Sequence, residues 1–436
     1  MTTKRVTIAM VSIAAVIATL GAYTAADASL VEGTSSVRPA GSHADRVQER
    51  NARPPKDRFR PKKGVSFNSP GDQTINAKVL RAIQHTPKGA KIRAMTWNFN
   101  SWVFVNKLRE AHNRGVSVRI IMARSLANEQ GPNGHFAQMR RALKGGNNAK
   151  RRPEMKSWFR TCSNSCRGRG GAMHSKLYLF SQVGQAKRVV MSSSANLTGS
   201  AAANQWNDMY TITERRVPYK VSIQVFNEAA KDRLAPWRSY KDGSIRGWFT
   251  PNRGRPDLPY EMLKDVRCKG AKGAGINGRT SIRIAQDVFN GDRGAKIARQ
   301  IKFLHQRGCN IRIVYSQMAG QSRAILAGVP KNHLVRDGDG DGAYDIYLHM
   351  KAMAISGNYR GDRGARIVFN GTANFSGIGL IADENGLVIE RDRVEKLYGQ
   401  RINKLFRIHL TSVPLDPDLA ARRGGAPIDP YRNMEK

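Results

Sequence analysis

Two short runs hold the residues most able to do chemistry, "MHSKLYLF" at 173–180 and "LHMKAMAI" at 348–355. Each sets a histidine and a lysine two apart at the head of an apolar, β-prone stretch. Side chains alternate across a strand, so His174 and Lys176 share one face while Leu177 and Leu179 take the other. His349 and Lys351 stand in the same way against Met350, Ala352 and Ala354. After each run comes a second strand-like stretch and a small-residue turn, "VVMSSSANLTGS" (189–200) and "IVFNGTANFSGI" (367–378), in which Ser194 and Asn196 correspond to Thr372 and Asn374. Each span offers an imidazole, an ammonium, a hydroxyl and an amide. Farther on, "QWNDMYTI" (205–212) and "ADENGLVI" (382–389) place a carboxylate or amide just before another strand.

A phosphodiester hydrolase that works without a metal needs this set. A nucleophile attacks phosphorus, an acid protonates the leaving oxygen, and cationic or amide donors hold the non-bridging oxygens as charge develops. Two imidazoles on opposite sides of one phosphate fill the first two roles. Lys176, Lys351, Asn196 and Asn374, with the hydroxyls of Ser194 and Thr372, supply the phosphate contacts. Neither half of the chain contains both imidazoles.

The elements that position these groups are repeated. "VSFNSP" with "VLRAI" (65–83) finds an echo in "GWFTPN" with "EMLKDV" (247–266), and "AKIRAMTWNFN" (90–100) matches "TSIRIAQDVFN" (280–290). "LREAHNRGVSVRIIMA" (108–123) matches "IKFLHQRGCNIRIVYS" (301–316): a helix end, Arg-Gly as its cap, then a strand. His112 and His305 fall in the last turn of that helix, where the helix dipole favours a partly charged imidazole; both are expected to be structural. Two α/β lobes follow, 65–245 and 246–415, each long enough for its own core.

At the paired motifs the chain resembles the phospholipase D superfamily, whose signature is His-x-Lys-x4-Asp followed by a Gly-Ser-x-Asn turn, twice in two-lobed members. The resemblance runs over most of 65–400. It implies an α/β, two-lobed, pseudo-symmetric fold, each lobe a mixed β-sheet flanked by helices. It also implies one active site at the lobe interface and a covalent phosphohistidine intermediate resolved by water or an alcohol. Carried over, His174 is the nucleophile and His349 the general acid and later the base, with the reverse assignment open. Glu384 resembles the carboxylate that orients the histidine of its own lobe, here His349. In the first lobe Asn207 aligns with Glu384 and Asp208 follows it; strand alternation lets only one of them serve, and Asp208 is the preferred one. Ser181 and Ser356 replace the Asp of the signature, which the family treats as structural, so strand packing is expected to change more than catalysis. Ser193 stands where Gly is usual and Thr372 where Ser is usual.

The formal net charge of +40 over 436 residues predicts a polyanionic partner, because neutralising phosphates releases their counterions. From Arg140 to Arg169 ten basic residues meet one acidic residue, with Trp158 and Phe159 among them. That mixture suits a nucleic-acid strand or a membrane interface; a solvated loop is the bland reading. The first 28 residues read as a secretory signal, Lys4 and Arg5 before an apolar run and "ADAS" as the cleavage site, with a membrane anchor as the rival. Residues 29–64 read as a basic disordered arm, and 416–436 as a polar tail. In an oxidising compartment the four cysteines predict disulfides Cys162–Cys166 and Cys268–Cys309, zinc being the rival. Asp337, Asp339 and Asp341 with Gly342 fit the opening of a calcium loop and Asp345 its ninth position, although Leu348 stands at the twelfth, where Glu is expected. A structural calcium and a plain acidic turn are the two readings.

The function so implied is a secreted phosphodiesterase of phospholipase D type that hydrolyses or transfers phospholipid headgroups. A secreted metal-independent nuclease using the same residues is the alternative, wall-polymer phosphodiesters are a third substrate, and an inactive polyanion-binding protein a fourth reading. Catalysis requires no cofactor on any of the enzymatic readings. The partner is an anionic phosphodiester on a membrane surface or nucleic acid; no obligate protein partner is evident and a monomer is expected.

Overall fold

Apolar strand runs such as "VRIIMA" and "IRIVYS" set the frame, and the computed structural model, which describes residues 58–252, 254–413 and 430, arranges them in two mixed sheets. The expected signal, most of the basic arm and nearly all of the polar tail lie outside the described residues. The first sheet runs in the order Gly64–Phe67, Asp208–Ile212, Ala186–Ser193, Leu177–Val183, Lys91–Met95, Ser117–Ala123 and Trp158–Cys162. The second runs Arg238–Asp242, Ile245–Phe249, Asn385–Glu390, Asp362–Gly371, Lys351–Tyr359, Ser281–Phe289, Asn310–Met318 and Lys331–His333, with Val266–Arg267 paired off that path. From Ile245–Phe249 onward, the second order repeats the first strand for strand. Even the pairing directions agree: Lys91–Met95 with Ser117–Ala123, and Ser281–Phe289 with Asn310–Met318, are the parallel neighbours.

Parallel neighbours need a crossover, and a helix supplies it in each lobe, Trp102–Asn113 and Gly291–Gln306. Both helices end at the Arg-Gly pair, with Gly115 at φ 94° and Gly308 at φ 88°, a conformation that glycine adopts without a Cβ penalty. The crossover helices pack apolar faces into separate cores. Phe104, Val105 and Leu108 join the first, and Ile297, Ile301 and Leu304 the second. A third apolar cluster joins the lobes, bringing Leu177, Val190, Tyr210 and Phe226 together with Met350, Val368, Leu387 and Tyr398. The site therefore rests on a continuous interior rather than on a hinge.

Several local expectations meet their physical outcome here. His112 is fully buried, its Nδ1 2.9 Å from Ser157 Oγ and its Nε2 3.0 Å from Gly145 O, and burial lowers its pKa. The charged imidazole expected from the helix dipole gives way to a neutral core histidine. Ser181 Oγ accepts from Lys91 N at 2.8 Å, and Ser356 Oγ from Gly275 N at 3.1 Å and Arg366 Nη1 at 3.2 Å. The replaced signature positions thus close backbone and side-chain valences at strand ends. At the end of the expected arm, Phe59 stacks on His85 at 4.0 Å and its carbonyl accepts from Gln185 N at 3.0 Å, so the chain is packed from there onward. No helix among the described residues is long and apolar enough to cross a membrane.

All four cysteines are paired, Cys162 with Cys166 and Cys268 with Cys309, at sequence separations of 4 and 41. Loop-closure entropy makes the longer bridge the stronger constraint on the unfolded chain, about 4 kcal/mol against about 2 kcal/mol. Replacing Cys268 and Cys309 together with serine is expected to lower the urea midpoint by roughly twice as much as replacing Cys162 and Cys166. Equal shifts would contradict this assignment of stability.

Candidate active site

Each histidine segment leaves its own lobe to pair with the other. His174 N donates to Asp383 O at 3.0 Å and Lys176 N to Asn385 Oδ1 at 2.9 Å. In the reverse direction, Ile346–Leu348 pairs in parallel with Gln205–Trp206, and His349 N donates to Trp206 O at 3.0 Å. The imidazoles are therefore held from across the interface. His174 Nδ1 lies 2.9 and 3.0 Å from the two carboxylate oxygens of Glu384, and His349 Nδ1 lies 2.9 Å from Asn207 Oδ1.

These bonds correct two expectations. Glu384 orients His174 of the other lobe, not His349, because strand Asn385–Glu390 begins where the first lobe's motif segment crosses it. For His349 the partner is Asn207 rather than Asp208. Asn207 Nδ2 donates to Ala201 O and Gln205 Oε1, both at 3.0 Å, which leaves Oδ1 as the acceptor for the imidazole. Asp208 points into the core, where its Oδ2 accepts from Tyr398 Oη at 2.6 Å and Asn370 Nδ2 at 2.9 Å. Burial raises the pKa of Asp208, partly offset by those donors. It supports the floor of the site and does not touch either imidazole.

Ser194 and Thr372, expected at the phosphate, serve one layer back. Ser194 Oγ donates to Asn207 Oδ1 at 2.9 Å, and Thr372 Oγ1 donates to Glu384 Oε2 at 2.5 Å. Each hydroxyl thus fixes the group that fixes a histidine. Asn196 and Asn374 are oriented through their carbonyl oxygens. Asn196 Oδ1 accepts from Thr96 Oγ1 at 3.3 Å and Asn98 N at 3.4 Å; Asn374 Oδ1 accepts from Gln286 Nε2 at 3.3 Å. That orientation leaves each amide NH2 as the end available to an anion. Lys176 and Lys351 are fully buried, and each Nζ donates to the carbonyl of its own histidine, at 2.8 and 2.7 Å.

Two residues went unnoticed in the sequence, although its repeat already aligned them. Trp97 and Asp287 occupy equivalent positions in "AKIRAMTWNFN" and "TSIRIAQDVFN". Trp97 meets His174 edge to face at 5.2 Å and Lys176 Nζ lies 5.6 Å from its ring centre. Asp287 Oδ2 lies 2.9 Å from Lys351 Nζ and 4.0 Å from His349 Nε2. Related positions thus hold an aromatic ring in one half and a carboxylate in the other.

Electrostatics separate the two histidines further. Burial lowers both pKa values, but Glu384 counters the effect at His174, whereas Lys351, Lys176 and His174 itself add to it at His349. His349 sits well below the ordinary range. Burial alone would raise Glu384, yet the charges of His174 and Lys176 outweigh it and hold the carboxyl below its usual value. Burial lowers Lys351, with Asp287 opposing the shift. The histidines and lysines of both lobes thus lie close enough to act on one another.

Acidic groups outside the cleft play other parts. Asp337, Asp339 and Asp345 bring carboxylate oxygens within 4.8 Å of one another, and they are the residues that could hold a cation. Asp341 lies outside that cluster, its Oδ1 accepting from Ala343 N at 2.7 Å. The cysteines, being in disulfides, are not zinc ligands.

Asp383 joins the disulfide loop to the site, its Oδ2 accepting from Cys166 N at 2.5 Å and its Oδ1 buried without a partner. Burial pushes its carboxyl up to about 7. An unfolded aspartate titrates near 3.9, so the folded state holds the proton more tightly and stability falls as pH rises from about 4 through about 7. Asp383→Asn removes that penalty. The variant is expected to match the native protein at pH 4 and to exceed it at pH 8 by up to about 4 kcal/mol in urea unfolding, whereas a lower stability at pH 8 would contradict the buried-acid reading.

Comparison with known proteins accords with this geometry. Residues 79–229, in the first lobe, match the family model described as cardiolipin synthase, PLD-like domain. No curated protein sequence matches the chain. Phosphatidylserine synthase of Haemophilus influenzae Rd KW20 is 12% identical and superposes with a TM-score of 0.54, covering 84% of this chain and 91% of that one. Polyphosphate kinase from Porphyromonas gingivalis is 11% identical with a TM-score of 0.51, covering 83% of this chain; this chain spans about half of that kinase, 54%. Nuc from Salmonella typhimurium, a phospholipase D family member, is 18% identical with a TM-score of 0.30, covering 39% of this chain and 96% of its own. Residues 79–229 thus match a PLD-like domain, and the two equivalent lobes that carry the paired His-x-Lys segments share a PLD-like fold.

Proposed function

We propose that the protein is a phosphodiesterase of phospholipase D type that removes or exchanges the headgroup of a phospholipid. The observation that carries this reading is the crossed support of the two histidines, His174 by Glu384 and His349 by Asn207. With Nδ1 of each ring committed to its partner, Nε2 is the working atom on both.

In the first step His174 Nε2 attacks phosphorus and the bond to the leaving oxygen breaks, while His349 Nε2 gives that oxygen its proton. His174 is the nucleophile because Glu384 stabilises the positive charge its ring gains on attack. His349 is the acid because its low pKa makes it a ready donor once protonated. In the second step His349 takes a proton from water or an alcohol, whose oxygen attacks phosphorus and releases His174. Lys176, Lys351 and the amides of Asn196 and Asn374 hold the non-bridging oxygens through both steps. No step runs through a metal. Asp337, Asp339 and Asp345 would hold a structural calcium ion that supports the segment leading to His349.

Two observations favour a lipid. The matched domain and one neighbour carry the names of phospholipid synthases, cardiolipin synthase and phosphatidylserine synthase. An apolar cavity of about 590 Å3 is walled by Trp237, Trp248, Leu258 and Val388, with Arg255 also in its lining. Thr250 in its wall accepts from Glu384 N at 2.8 Å, so the cavity sits one residue from the site. Its size and apolar walls suit part of an acyl chain, with the arginine for an anionic neighbour. The paired cysteines support an oxidising, extracellular compartment.

A nuclease is the second reading, favoured by Trp158, whose ring is flanked by Arg119 at 5.5 Å and Arg160 at 4.5 Å, and by the net charge of +40. Incubation with phosphatidylcholine vesicles, phosphatidylglycerol vesicles and plasmid DNA in parallel is expected to release headgroup without nicking; nicking alone would transfer the same chemistry to nucleic acid. His174→Ala and His349→Ala are each expected to lower turnover by at least about 10³-fold with the melting temperature retained. Full activity in either variant would remove the two-histidine mechanism. Turnover should persist in EDTA, and strict dependence on added Zn or Mg would overturn the metal-free route.

A further inference from the structure

Each histidine of the cleft has one carboxylate within reach, but on different sides of the ring. Glu384 lies behind His174, at Nδ1, 2.9 Å away. Behind His349 stands the neutral amide of Asn207, and the carboxylate, Asp287, lies in front, 4.0 Å from Nε2. The equivalent front position at His174 is filled by Trp97. This exchange breaks the symmetry of the site at the atoms that do the chemistry.

The difference matters because a general acid must carry a proton when substrate arrives. Lys351 from the same segment, and His174 and Lys176 from the other lobe, all disfavour a second proton on His349. Asn207 Oδ1 stabilises the Nδ1 proton but offers no charge. Glu384 and Asp208 act on Lys351, and Tyr344 of the acidic turn feels Asp287. Of the carboxylates, Asp287 is the one that closes on Nε2, while its Oδ2 also takes the Lys351 ammonium at 2.9 Å. Its side chain is 6% exposed, so solvent screens the attraction little.

Resting on the phosphodiesterase reading, we infer that Asp287 is a positioning residue that favours a proton on His349 Nε2, in place of the carboxylate His349 lacks behind its ring. When the leaving oxygen departs from phosphorus, the proton passes from Nε2 to that oxygen and the imidazole becomes neutral. Asp287 keeps its charge throughout and remains paired with Lys351.

Leaving-group chemistry tests this directly. An alkyl alcohol needs the proton; p-nitrophenolate leaves without it. Asp287→Asn is expected to lower kcat/KM for phosphatidylethanol by about 10²-fold and for phosphatidyl-p-nitrophenol by less than about 5-fold, with the alkaline limb of the ethanol ester's profile moved to lower pH. Asp287→Ser, smaller and still able to meet Lys351, is the second variant and should show the same split. Equal losses on the two esters would overturn the role. Independently of turnover, 15N NMR of the imidazole, assigned by loss of its signal in His349→Gln, should place the titration midpoint of His349 on the order of one pH unit lower in Asp287→Asn. An unmoved midpoint would overturn the inference even in an active enzyme. A native protein inactive on both esters would instead count against the phosphodiesterase reading, since the titration reads Asp287 without substrate.

Discussion

The hydrogen bond between His174 and Glu384 is the constraint on which the molecule turns. It joins a ring from one lobe to a carboxylate from the other across 210 residues of sequence, and it exists only when both lobes are folded and docked. Glu384 would pay a desolvation penalty in its buried position without the imidazole and Thr372 Oγ1 against it. The docked state is stabilised by the chemistry it assembles, and the apolar cluster shared by the sheets supplies the area that holds it there.

Pseudo-symmetry explains how such a site arises from repeated parts. Each lobe extends its histidine segment to the residues at or just ahead of Asp208–Ile212 or Asn385–Glu390 in the other lobe, so the supports cross rather than stay within a lobe. The layers behind are repeated as well: Ser194 behind Asn207, Thr372 behind Glu384, and Thr96 and Gln286 behind the two asparagines. Symmetry then breaks at two places, Asn207 against Glu384 and Trp97 against Asp287. Both departures act around the imidazoles and give the two rings different surroundings.

The disulfide Cys162–Cys166 and the segment after it tie the first lobe's edge strand to the same interface. Arg167, fully buried, reaches Glu228, Thr250 O and Pro236 O, and Cys166 N meets Asp383, the neighbour of Glu384. A buried guanidinium with this many partners is costly to move. The basic stretch that reads in sequence as a loop for an anionic surface is, at this end, a structural clamp on the segment of Glu384.

Much of this was legible in the residues themselves. The doubled His-x-Lys and small-residue turns marked the histidines, lysines and asparagines, and the period of the repeat marked two lobes, because strand alternation and helix caps are local properties that a chain carries wherever it folds. The disulfide partners followed from proximity for the same reason. What could not be read locally was the choice of partners: that Glu384 serves His174, that Asn207 and not Asp208 serves His349, that Ser194 and Thr372 stand behind Asn207 and Glu384, and that Asp287 closes on His349. Each of these is a contact between chain segments whose approach is set by how two sheets dock over a shared core, and docking geometry is a property of the folded whole that no spacing within one strand encodes.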